Sequence, residues 1–492
     1  MRAVLLLGFS LLSLPSVVMA AKPADATAAV IGQALSPSPL ADDLRRLTDG
    51  IGGRISGSPA MARAVEWGVE AFRAAGVPVR TEAYTQAVTW AEGETRLEID
   101  GAAAFPVALV AEGWSPATPA GGIAAPLVHV GAGSEEEFAA QGSRVRGAIL
   151  LVDSTVIATW ADLHNEYDRT GPIVQRAIAG GARAILWTAA RSHRLLYRHT
   201  DTVGGELLPL PMATVAREDA LRLARTVDAS RTPLNVRFSM PNRIGGPVEA
   251  KNVVAEIRGR ELPDEFVVLG AHLDSWDLGT GALDNGCNAA LVIAAARAIH
   301  DAGVTPRRTI RFVLFSGEEE GMLGSRAYVK THAAELDRTR AMMAIDSGVG
   351  RITGFSLSGR TDVAATLPRA LAAVAALDAT ALSLEGDLGT DNVDFLLQGV
   401  PTLVASQEPA TYMENYHAAS DTLDKVDLRE LTLHVAIAAA TVVGIADLAE
   451  PLGPRLTRPE IAALLERSGL EKEMKAGGLW AEWAAGQRGR SP

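Results

Sequence analysis

One cysteine, Cys287, in a chain of 492 residues excludes an intrachain disulfide. Positive charge is in deficit, with 46 Lys and Arg against 58 Asp and Glu and a net charge of −12. A broad basic footprint for nucleic acid is therefore excluded. Past the first twenty residues no segment sustains 18 apolar residues, so the mature chain is expected to be soluble, with no membrane span. There is no Gly-x-Ser-x-Gly, which disfavours a serine hydrolase of the nucleophile-elbow type. No His is followed by Glu, which excludes the His-Glu-x-x-His zinc helix. The absence of any Gly-Lys pair removes a Walker-type phosphate loop. Gly279-Thr280-Gly281 opens a dinucleotide-like pattern, but Asp284 stands where its third glycine belongs.

What remains is a folded-protein composition, 48% hydrophobic and 21% charged. The length allows about three domains, or one large domain with an insertion. Arg2, the apolar run from Val4 to Leu14, and Val18-Met19-Ala20 read as a secretory signal over 1–20, cleaved after Ala20. The protein is thus expected to be exported, to a periplasm or outside the cell. A Pro/Gly-rich texture from about Trp114 to Pro247 encloses some 130 residues, the size of a compact domain. Within it the pattern predicts strands at 127–130, 148–152 and 184–187, and helices at 172–179 and 218–227. After Asn252, strands alternate with helices, as in a doubly wound, mostly parallel α/β sheet. The expected organisation is a main α/β domain over 21–113 and 246–450, an inserted α/β domain over 114–245, and a tail over 451–492 that frays at its extreme end.

Acids and histidines gather in five short segments around His272-Leu273-Asp274, Asp284-Asn285, Glu318-Glu319-Glu320, Asp346 and Tyr416-His417. Three of these follow an apolar strand directly, where ligands bind in an open α/β sheet. Taken singly, each has a plainer explanation: a structural histidine, a helix N-cap at Asp284, a solvated acidic turn at 318–320. Together they are harder to dismiss, because buried acids are costly unless paired or metal-bound. Two imidazoles and three carboxylates suit zinc. Their number suggests two ions sharing one bridging carboxylate, for which Asp284 is the natural choice. One acid must stay unligated to take a proton from water.

These motifs resemble the co-catalytic zinc exopeptidases of the bacterial leucyl aminopeptidase type. The resemblance covers most of the mature chain. It includes Gly52-Gly53-Arg54-Ile55-Ser56-Gly57-Ser58, Met322-Leu323-Gly324-Ser325 behind the acidic motif, and all five metal segments in order. Gly389-Thr390-Asp391 and Tyr416-His417 with Asp421-Thr422 favour the carboxypeptidase Q branch of that group. The resemblance implies two Zn2+ ions, one held by His272, Asp284 and Asp346, the other by Asp284, Glu319 and His417. It makes Glu318 the general base, Tyr416 a hydroxyl donor to the oxyanion, and Asp274 the carboxylate that orients His272. It implies a cis bond between Asp284 and Asn285. The inserted region becomes a protease-associated domain, the substrate a dipeptide or short peptide, and a homodimer is compatible. Cys287 is read as packing rather than a ligand. Aminopeptidase activity stays open beside dipeptide-cleaving carboxypeptidase activity. The alternatives from other classes are a glutaminyl-cyclase-like transferase and a non-catalytic binding relative.

Overall fold

The run Phe266-Val267-Val268-Leu269 has no polar interruption because both faces of its strand are covered. In the computed structural model, which describes residues 23–101, 104–200, 202–386 and 388–491, this strand is Leu262–His272. Its neighbours are Arg308–Phe315 and Thr339–Ala344, and Thr402–Gln407 lies beyond the latter; all four run parallel. Alternate side chains serve two cores, as the pleat requires. Val267, Leu269, Ala271, Phe312 and Leu314 face the helices Pro59–Ala74, Cys287–Asp301 and Leu428–Asp447. Val268, Val313, Phe315 and Met342 face Tyr328, Val329 and Phe395 on the other side. The signal segment expected over 1–20 lies outside the described residues.

The eight-stranded sheet is mixed rather than mostly parallel. Val79–Gln86 and Val248–Ile257 join one side antiparallel, and Ile352–Ser356 joins the other antiparallel to Thr402–Gln407. The reason on the first side is local. Only residues 258–261 connect Val248–Ile257 to Leu262–His272. A parallel return needs a dozen residues or more, so the chain can only turn back. Gly259 lets this turn cross the start of the intervening strand, since a Cβ there would lie 2.6 Å from the carbonyl carbon of Arg308.

A seven-stranded sheet forms a second lobe, in the order Arg96–Ile99, Leu234–Ser239, Ile123–His129, Ile149–Val152, Ala184–Thr188, Met212–Val215, Leu109–Ala111. The boundary expected at 114 therefore falls inside this sheet, because two short strands upstream, Arg96–Ile99 and Leu109–Ala111, pair with partners at 236–239 and 213–215. The chain leaves and re-enters the first lobe through Thr89–Ala91, paired with Arg243–Gly245. The helix expected from Pro172 begins earlier and spans Trp160–Gly180, started by a Thr159–Asp162 capping box with Pro172 inside it.

The tail is docked, against the expectation that its end frays. Ile461, Leu465, Met474 and Trp483 pack with Val393, Leu396 and Leu397. Near the C-terminus Arg488 grips the Asp394 carboxylate at 2.7 and 2.8 Å, both side chains being 1% exposed. Among the described residues one helix, Leu428–Asp447, is long and apolar enough to cross a membrane by length and composition. It packs inside the first lobe, against Cys287–Asp301 and Pro23–Ala34. Cys287 is buried, with its Sγ 3.4 Å from the Leu283 carbonyl.

Candidate metal centre

The ends of the parallel strands and the loops beyond them bring the five segments together. His272 is the last residue of its strand, and Asp346 lies two residues past Thr339–Ala344. Glu318 and Glu319 follow Arg308–Phe315 after Ser316 and Gly317. Asp284 sits in a tight turn, 282–286, that opens the helix Cys287–Asp301, and its bond to Asn285 is cis. His417 follows the short helix Tyr412–Asn415.

The two carboxylate oxygens of Asp284 face different partners. Oδ1 is 3.2 Å from His272 Nε2, which is 3.1 Å from Asp346 Oδ1. Oδ2 is 3.4 Å from His417 Nε2, which is 3.1 Å from Glu319 Oε2. Ligand atoms of His272, Asp284 and Asp346 lie within 4.8 Å of one another, as do those of Asp284, Glu319 and His417. Glu318 belongs to neither triad; its Oε2 stands 4.0 Å from His272 Nε2.

So many acids in a dry space compete for positive charge. Burial raises the Glu318 carboxyl well above the usual range, with Asp346 and Glu319 adding to it. Burial likewise pushes Asp346 up to about 6. For the imidazoles burial works downward, yet the carboxylates prevail, raising His272 strongly and His417 to about 9. Compensating cations are what this cluster demands. Glu319 Oε1 and His417 Nδ1 are buried without a hydrogen-bond partner. The donor set, two imidazoles and three carboxylates shared between two triads, fits a pair of borderline-soft divalent ions.

Around the triads lies a brace. The Asp421 carboxylate accepts the backbone N–H groups of Ala282, Leu283 and Asp284 at 3.0, 2.6 and 3.1 Å. The buried Arg54 guanidinium donates to the carbonyls of Thr280 and Gly281 at 2.8 Å each, and to that of Leu273. The chain from Thr280 to Asp284 is thereby fixed. Tyr412 donates from its hydroxyl to Asp284 Oδ2 at 3.0 Å. Sequence reasoning missed Tyr412, although it lies one helical turn before Tyr416. Arg54 and Asp421 stood in recognised motifs without a role.

Two expected partners sit differently from their assignment. The nearest acceptor to His272 Nδ1 is the Asp274 backbone carbonyl at 3.1 Å, while the Asp274 carboxylate stands 3.8 Å away and accepts Glu319 N–H at 3.2 Å. The side chain thus ties two ligand segments together, and the main chain orients the ring. Tyr416 stacks on His417 with ring centroids 3.6 Å apart, and its hydroxyl is 2.6 Å from that of Tyr167. Tyr167 comes from the second lobe. The lobes also meet where Arg198 N–H donates to the His417 carbonyl at 3.0 Å and Ala419 N–H to that of Leu196 at 3.0 Å.

The chain is similar to known proteins over most of its length. Carboxypeptidase Q of Mus musculus is 28% identical over 412 residues, covering 82% of this chain and 85% of that protein. A peptidase M28 precursor of Shewanella amazonensis SB2B superposes with a TM-score of 0.79 at 27% identity, covering 88% of this chain and 99% of the other. The fold is shared with a zinc aminopeptidase of Bacillus subtilis, TM-score 0.64 at 21% identity, covering 84% and 98% of the two chains. Residues 252–442, which carry all five converging side chains, match the model of Peptidase family M28, so over that stretch this chain is similar to the M28 peptidases.

Proposed function

We propose that the protein is a zinc-dependent exopeptidase that hydrolyses dipeptides or short peptides. The observation that carries this reading is the division of Asp284, whose two oxygens each face a separate imidazole and carboxylate at 3.1–3.4 Å. His272, Asp284 and Asp346 would hold one Zn2+, and Asp284, Glu319 and His417 the other. When bound, such a pair supplies Lewis acidity for a scissile carbonyl and lowers the pKa of water.

The remaining work falls to the chain. Glu318, outside both triads and only 11% exposed beside them, accepts the proton of the attacking water and returns it to the leaving amine. Tyr416 turns its hydroxyl from Tyr167 toward the oxyanion as charge develops. Asp274, Asp421 and Arg54 hold the ligand loops in place. The second lobe is a protease-associated domain that covers one side of the crevice and limits access to short substrates. Export through the 1–20 segment places the enzyme in a periplasm or outside the cell, and assembly as a homodimer is part of the same reading.

An aminopeptidase specificity is the second reading, supported by the fold shared with the Bacillus subtilis zinc aminopeptidase. One assay separates the two. Free dipeptides, N-blocked peptides and aminoacyl anilides are compared after chelation and after zinc is restored. Zinc-dependent cleavage of free dipeptides with little anilide turnover is expected. Turnover that survives complete chelation overturns the metal reading.

A further inference from the structure

Beside His417 the lobes border a partly open cleft, walled by Ile157, Leu163, Trp187 and Tyr197 and reaching Tyr416. Three charged side chains line it. Two are committed. Glu166 accepts from Arg169 at 2.8 Å and from Ser154 at 2.6 Å. Glu112 accepts from the Thr214 hydroxyl and from His199 N–H. The third, Arg191, is 4% exposed and lacks a carboxylate in ion-pair range among the described residues. Its Nη1 donates to the Ala190 carbonyl at 3.2 Å, its Nη2 reaches the Tyr416 carbonyl at 3.5 Å, and its Nε has no partner. The Tyr197 ring lies 5.2 Å from its Cζ. A guanidinium carries five donors in a planar fork suited to a carboxylate. Burying it unpaired is costly unless an anion arrives. The residue whose carbonyl it touches precedes His417, so the cation stands at the edge of the metal centre.

We infer that Arg191 is the counter-charge for the free C-terminal carboxylate of the substrate, and that the apolar wall around it takes the C-terminal side chain. This rests on the exopeptidase reading and sharpens it: the substrate is a dipeptide or short peptide ending in an apolar residue with a free carboxylate. An aminopeptidase pocket would need an uncommitted acid for the substrate ammonium, and both acids of this cleft are already engaged. Arg191 is a specificity-determining residue, and it takes no part in proton transfer.

The test compares alanyl-leucine with alanyl-leucinamide on the zinc-supplemented full chain. Wild type is expected to favour the free acid by roughly 10²-fold in kcat/KM. Arg191→Met should erase most of that preference, lowering turnover of the acid while that of the amide changes by less than about threefold. Arg191→Lys, with the charge but not the fork, should fall between. Equal turnover of acid and amide by wild type overturns the inference, as does a preference that survives Arg191→Met. Binding is read separately, by calorimetry with leucine and leucinamide, neither of which can be hydrolysed. Tighter binding of leucine, lost in Arg191→Met, supports the carboxylate site even if no peptide is cleaved. In that case the exopeptidase reading fails and the binding site stands. Equal affinity for leucine and leucinamide overturns the site itself.

Discussion

The two sheets solve different problems with similar materials. In the first lobe, His272 and the segments carrying Glu318, Glu319 and Asp346 end or follow neighbouring parallel strands, so the fold itself delivers them to one place. In the second lobe the strands other than Ile123–His129 end in apolar or small residues, and its contributions to the same crevice, Tyr167 and Arg191, come from a helix and from the chain just past a strand. Chemistry is concentrated on the lobe whose strand order focuses it, while the other lobe supplies walls and one unpaired charge. Substitutions should therefore differ in kind. First-lobe changes abolish metal binding or turnover, and second-lobe changes reshape substrate choice or stability.

The largest expected effect belongs to Asp284, which faces both triads. Asp284→Ala should reduce zinc from two ions per chain to none by elemental analysis, with activity at background. Retention of one ion would mean that the two triads are independent and that Asp284 is not the bridge. Next come the adjacent glutamates. Glu318→Gln should keep both ions and lose roughly 10²–10⁴ in kcat on a dipeptide. Glu319→Gln should lose zinc from the His417 side. The reverse pattern would exchange the two roles. A smaller effect is expected at the brace, where Asp421→Ala strands three N–H groups of the Asp284 loop. Metal affinity should fall by roughly 10–100-fold in a chelator competition, with kcat recovering at saturating zinc. If affinity is unchanged, the loop holds its shape without Asp421.

The sequence was most legible where one physical rule dominated. A strand buried on both faces must be apolar throughout, so Phe266–Leu269 and Phe312–Phe315 could be placed, and with them the acids and His272 that follow. The rule fails where pairing is distant. Leu109–Ala111 has three residues, too few for a period, and owes its place to a partner at 213–215; Arg96–Ile99 reads as β-like, but only its partner at 236–239 puts it in the second sheet. Gly171-Pro172 reads as a break, yet the helix starts at the Thr159 cap and runs through it. The tail reads as charged and loose because the burial of Arg488 depends on Asp394, 94 residues away. Tyr167 escaped notice for the same reason: its partner Tyr416 is 249 residues distant.

The smallest expected effect concerns the stability of the second lobe. His129, on the strand Ile123–His129, holds Asp153 at 2.9 Å through Nε2 and Asp228 at 3.0 Å through Nδ1. The hydrogen bond to Asp153 leads in raising the imidazole to about 9, against burial and with help from Asp228. A group whose pKa rises on folding stabilises the folded state fully below its unfolded value, near 6.5, and that contribution is lost as pH climbs through the folded value. The expected window of loss is therefore from about pH 6.5 to just above 9. Asp228 is 58% exposed, so screening holds the gain to about 1 kcal/mol. Thermal melting of wild type and His129→Gln at pH 6 and pH 9.5 reads it directly. Wild type should melt higher than the variant at pH 6, and the gap should close by pH 9.5 while zinc content and dipeptide turnover at pH 7 stay unchanged. A gap that is constant across this range would mean that His129 stabilises the lobe by packing alone.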